Sequence, residues 1–171
     1  MVRYKIPLIL QCLLVFVPLN IYMWGDWILV NLQWAFFRYQ YTAQGSGFFP
    51  LNWDIEYLFL GFTSGTHNIL SVVFWTGGSI LLFAGLLFAI AACLQGEATH
   101  VRTASLLTFG AGIFYLISAL DRFVTGFAIP LGLPVLFAIA YLSYRHLPEP
   151  GEDSGDGDED DEDDGSDAAA G

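Results

Sequence analysis

The chain has 171 residues, 55% of them hydrophobic and only 13% charged, with a mean hydropathy of +0.55. That leaves too little polar surface to cover a soluble globule, so lipid is expected to cover the rest. The net charge of -11 belongs to one end: twelve of the seventeen acids lie between Glu149 and Asp167, and residues 1–148 hold six basic residues against five acidic ones.

A helix crosses roughly 30 Å of hydrocarbon with about 20 mainly apolar residues. Four segments qualify, at about 6–24, 69–94, 103–120 and 127–144. The predicted fold is therefore an all-α integral membrane protein with four transmembrane helices over residues 1–148, followed by a disordered acidic tail at 149–171. The first segment follows "MVRYK", as a secretory signal does. The bulky "NIYMWGDW" after it replaces the small residues a peptidase needs, so a retained helix is expected.

Residues 25–68 form the outer loop of this scheme. The apolar run from Trp27 to Phe37 is too short to cross. Stepping 100° per residue gathers Ile28, Leu29, Leu32, Ala35, Phe36 and Tyr39 on one side, with Asn31, Gln33, Arg38 and Gln40 opposite. This predicts an amphipathic aromatic helix lying in the interface between the first and second spans. Trp24, Trp27, Trp34 and Trp53 suit an aromatic belt at the headgroup level. A sharper reading makes the same residues a lid that grips an apolar or lipid-like ligand. Gly45, Ser46, Gly47 and Pro50 then break the chain, and a second aromatic piece runs from about Trp53 to Phe62.

Basic residues near the span ends set the orientation. With the N-terminus in the cytoplasm, Arg3, Lys5, Arg102 and Arg145 fall inside, and Arg38 and Arg122 outside. This predicts a multi-pass cell-membrane protein with both termini cytoplasmic.

The chemistry-bearing residues are sparse. Cys12 and Cys93 stand alone without a C-x-x-C pair and read as small apolar residues. His67, His100 and His146 lie at span ends without Cys, Asp or Glu at ligand spacing, so no metal is expected. Ser64 beside His67 invites a serine-protease reading, but no base stands on a facing helix. The predicted spans hold no ionisable residue, and Asp121 and Arg122 sit at the outer tip between the third and fourth.

Helix packing gives a positive signal. Gly85, Ala89 and Cys93 recur every four residues on the second span, and Ala104, Thr108 and Gly112 on the third, so backbones can approach closely. Gly126, Pro130, Gly132 and Pro134 weaken the outer half of the fourth. A kink there would face the aromatic loop, either as packing or as the wall of a ligand cavity.

The tail, "EPGEDSGDGDEDDEDDGSDAAAG", has no apolar group larger than Ala to bury. It solvates the protein, or it meets cations or a basic partner. Together with a single lysine, Lys5, it resembles the acid-rich, lysine-poor proteins of salt-loving archaea, and the body resembles their small four-span membrane proteins. That resemblance implies a cell membrane in a salty habitat and transfers no functional residue.

The sequence thus predicts a non-enzymatic scaffold or accessory subunit without a cofactor, and without nucleic acid as a partner. Its partners would be membrane lipid and another membrane protein or a second copy, met through the small-residue faces or the outer loop. The alternative is a small transporter or a protein binding lipid or an apolar ligand between the outer loop and the kinked fourth helix. Trp27, Trp34, Arg38, Trp53, His67, Asp121, Arg122, Pro130 and Pro134 are its candidate ligand or interface residues.

Overall fold

The computed structural model describes residues 2–25, 29–63 and 65–145. The expectations placed on Trp27, Ser64, His146 and the tail at 149–171 lie outside the described residues.

Helix α1 (Val2–Phe16) ends just before Pro18, which lacks the N–H that another helical turn needs. The chain continues as strands β1 (Asn20–Trp24), β2 (Leu29–Gln33), β3 (Phe37–Thr42) and β4 (Gly45–Pro50). Helices α2 (Leu51–Phe59), α3 (Thr66–Gln95) and α4 (Ala98–Thr125) follow, then a short strand β5 (Phe127–Ile129) and helix α5 (Leu133–Arg145). The strands form one antiparallel sheet in the order β4-β3-β2-β1-β5.

This sheet overturns the all-α four-span expectation. The segment at 6–24 divides at Pro18 into α1 and β1, and the segment at 127–144 divides into β5 and α5. Pro130 lies in the connection between those two. Pro134 occupies the first turn of α5, where its missing N–H costs no helical hydrogen bond. No kinked outer helix exists there. The expected interfacial helix is instead the β2–β3 hairpin, because "LVNLQ" and "FRYQYT" alternate in character with period two. A run this rich in apolar residues shows an apolar side at 100° per residue as well, which is how the helical reading arose.

Among the described residues two helices, α3 and α4, are long and apolar enough to cross a membrane, which is consistent with association with one. The apolar stretches Lys5–Phe16 and Leu133–Arg145 are shorter. Gly96, at φ +73°, closes α3 with its N–H 2.9 Å from the Ala92 carbonyl, a left-handed cap that glycine adopts without strain.

The core sits where α3 and α4 meet α1, α5 and the near end of the sheet, around Leu14, Leu19, Trp75, Leu82, Tyr115 and Leu136. The small-residue faces are filled from within the chain. A Cβ at Gly85 would stand 3.2 Å from the Ala104 carbonyl oxygen and 3.2 Å from Thr108 Oγ1, and one at Gly112 would meet Leu136 and Phe137 of α5 at 2.7 Å. Ala89 is buried and Cys93 half-buried. Deep in the bundle Gln11 Nε2 donates to Thr108 Oγ1 at 2.6 Å. Gly126 and Gly132 let β5 and α5 press on β1: a Cβ would lie 2.5 Å from the Met23 oxygen and 2.6 Å from the Pro18 oxygen.

Candidate functional site

Alternation along the strands and the register between them sort the sheet into two unlike faces. Asn20, Gln33 and Arg38 form one cross-strand row, Tyr22, Asn31 and Gln40 a second, and Trp24, Leu29 and Thr42 a third. All nine lie on the face toward the helices: Asn20, Tyr22, Asn31 and Gln33 are buried, and Arg38 reaches α2 while Tyr22 reaches α4. Ordinary sheets put apolar side chains against the core and polar ones outside. Here the order is reversed.

Arg38 organises the polar face. Its Nε and Nη2 donate to the two oxygens of Asp54, each at 2.8 Å, so the pair is bidentate across the β3–α2 connection. Nη1 donates to Asn31 Oδ1 at 3.1 Å and to Gln40 Oε1, and the guanidinium lies over the Phe49 ring, 4.7 Å from its centroid. Side-chain exposures of 13% and 9% for Arg38 and Asp54 make this a largely desolvated ion pair, one that costs heavily when one partner is removed.

A second arginine stands behind the first layer. Arg122 Nε donates to Ser71 Oγ at 2.6 Å, and its guanidinium lies 5.2 Å from the Tyr22 ring centroid. Ser71 and Ser118 are joined across α3 and α4, with Ser118 Oγ 2.8 Å from the Ser71 carbonyl. Arg122 makes no ion pair among the described residues, and its neighbour Asp121 meets His67 at 2.7 Å through one oxygen.

Between the polar face and the ends of α3 and α4 nearest the sheet lies a cavity of about 520 Å³. It is lined by Tyr22, Trp24, Leu29, Asn31, Arg38, Gln40, Asn68 and Thr125. The Tyr22 hydroxyl and Thr125 Oγ1, 3.3 Å apart, close its wall in front of Arg122. One row deeper, Asn20 Oδ1 and Gln33 Nε2 are buried without a hydrogen-bond partner among the described residues, each at a cost in stability. Amide, phenol and hydroxyl groups offer donors and acceptors together, beside the indole of Trp24. Such a lining suits retention of a polar molecule.

Of the residues picked from sequence, Arg38 lines this cavity and Arg122, Asp121 and His67 lie at its rear. Trp34 sits apart, in the β2–β3 turn, with its indole N–H 3.1 Å from the Phe16 carbonyl. Trp53 is exposed on α2, edge-on to Phe49. Pro130 and Pro134 are exposed on the α5 side and line no part of it. Asp121 and Arg122 form part of the last turns of α4, in place of a solvated tip. Sequence reasoning missed Tyr22, Asn31, Gln40 and Asp54. The period-two alternation of "FRYQYT" was the available signal, and it marks both Arg38 and Gln40.

His100 meets Glu97 at 3.1 Å on the opposite end of the bundle, and no cluster of three potential metal ligands occurs among the described residues. No protein-family model matches the chain, and no curated protein matches it either.

Proposed function

We propose that this protein is a non-enzymatic, multi-pass membrane protein that holds a small polar ligand at its outer face, in the cavity between the sheet and the ends of α3 and α4. The observation that carries the reading is the reversed sheet. A fold that turns its amides and its one strand arginine toward a cavity, and Tyr39, Tyr41 and Phe48 away, incurs desolvation for no packing gain unless something polar uses that space. Arg122, which makes no ion pair among the described residues, adds a positive field from behind Tyr22.

The orientation with both termini cytoplasmic draws support from the same geometry. Arg38 and Arg122, the two basic residues that counted against it, are engaged inside the protein, so they do not mark free outer loops. The scaffold reading loses its helix-face support, since Gly85, Ala104, Thr108 and Gly112 pack against this chain's own helices.

The test is mass analysis of small molecules that remain with the gently extracted protein. A polar compound should be retained by the native chain and lost from Asn31→Leu with Gln40→Leu. If the native and doubly substituted proteins carry the same small molecules, or none, the reading fails.

A further inference from the structure

We infer that the outward face of the sheet is a lipid-contact surface, seated where the acyl chains meet the headgroups of the outer leaflet. The inference rests on α3 and α4 crossing the bilayer, and does not depend on what the cavity holds.

The first support is chemical. The outward rows are Ile129–Ile21–Leu32–Tyr39–Phe48 and, farther from the helix bundle's centre, Phe127–Met23–Val30–Tyr41–Ser46. Neither row contains a charged residue, and Tyr39, Tyr41, Phe48 and Phe127 are each at least 40% exposed. A docking protein would find nothing here to pair with electrostatically. Hydrocarbon with an aromatic upper margin matches the composition.

The second support is dimensional, and two rulers agree. The apolar part of α1, Lys5–Phe16, rises about 18 Å at 1.5 Å per residue, leaving about 12 Å of the hydrocarbon to cross. Three or four extended residues supply that rise, which brings the chain to about Leu19 or Asn20, at the start of β1. On α3, Trp75 and Ser79 touch the β2–β3 turn. They stand about 30 Å and 24 Å above Gln95 at the inner end of that helix. Both counts place the turn at the outer edge of the hydrocarbon and the body of the sheet in the headgroup layer.

The third support is the backbone at that turn. Five consecutive carbonyls are paired inside the protein. Gln33 accepts from the Leu19 N–H at 2.8 Å, Trp34 from the Trp75 indole at 2.9 Å and Ala35 from the Ser79 hydroxyl. Phe36 accepts from the Leu51 N–H at 2.9 Å and Phe37 from the Trp34 N–H at 2.8 Å. A turn facing water leaves such groups to solvent, whereas lipid requires them to be satisfied internally. Edge strand β4 meets α2 at Pro50, which has no N–H to leave unpaired at this depth.

Spin labels decide the matter. In a background of Cys12→Ala and Cys93→Ala, single substitutions Leu32→Cys and Phe48→Cys report the outward face, Gln44→Cys the aqueous side and Ile80→Cys the exposed flank of α3. Each labelled protein is placed in phosphatidylglycerol vesicles, and its relaxation by oxygen is compared with relaxation by a water-soluble nickel chelate. The ratio should favour oxygen at positions 32, 48 and 80 and nickel at position 44. Nickel dominance at 32 and 48 with oxygen dominance at 80 would overturn the inference while leaving the crossing of α3 intact. Low relaxation by both reagents at 32 and 48 would also overturn it, since another protein surface would then cover the face. Nickel dominance at 80 would remove the crossing itself.

Discussion

The two faces of the five-stranded sheet differ more than any other pair of surfaces in the molecule. The inward face carries Asn20, Asn31, Gln33, Arg38 and Gln40, and the outward face carries Ile21, Leu32 and Tyr39 on the same strands one residue away, with Phe48 beside Tyr39 on β4. In water the hydrophobic effect would drive the opposite arrangement. On the placement proposed above, the sheet is sorted by a different solvent pair, with lipid outside and a polar cavity inside. A one-residue register shift would exchange the two faces, so this contrast also fixes the strand pairing.

The largest expected effect comes from breaking the inner face at its ion pair. Asp54→Asn leaves the Arg38 charge buried without a counter-charge and should cost about 3–5 kcal/mol, read as a fall in thermal unfolding midpoint. Adding Arg38→Gln to Asp54→Asn should recover a large part of that loss. If the single and double variants unfold together, the pair does not organise the face.

A smaller effect is expected outside. Leu32→Arg places a charge at the acyl–headgroup boundary and should cost about 1 kcal/mol, compared between native and variant proteins in lipid nanodiscs. A stabilised Leu32→Arg would mean that the outward face meets water.

Smallest is the response of Gln33, whose amide nitrogen is buried without a partner among the described residues. Gln33→Met, similar in size, should shift stability by less than about 1 kcal/mol and in the stabilising direction, because an unsatisfied group is removed. A clear loss would show that the amide has a polar partner in the working protein.

How much of this was legible depended on the length of each apolar run. The long runs of α3 and α4 read correctly, since 26 and 18 residues without a charge admit few alternatives, and Gly85 and Gly112 marked a real close approach between helices. The short runs failed. Pro18 was visible in the first segment, but the apolar residues on both sides concealed that it ends α1. In "LVNLQ" and "FRYQYT" tertiary pairing chose the strand over an equally apolar helical side, and pairing partners up to 13 residues apart leave little local mark. Of the site, Arg38 was legible as a charge in an apolar context. Asp54 was not, because its role depends on α2 folding back beside β3.

The most direct test is alkylation of single cysteines along β3 by a water-soluble maleimide, with the protein reconstituted in vesicles and free of Cys12 and Cys93. The account predicts a period of two: faster reaction at Gln40→Cys and Thr42→Cys, on the cavity face of the sheet, and slower reaction at Tyr39→Cys and Tyr41→Cys. The opposite phase, with 39 and 41 fast and 40 and 42 slow, would contradict lipid contact on the outward face and an open cavity on the inward one. A loss of alternation would contradict the strand itself.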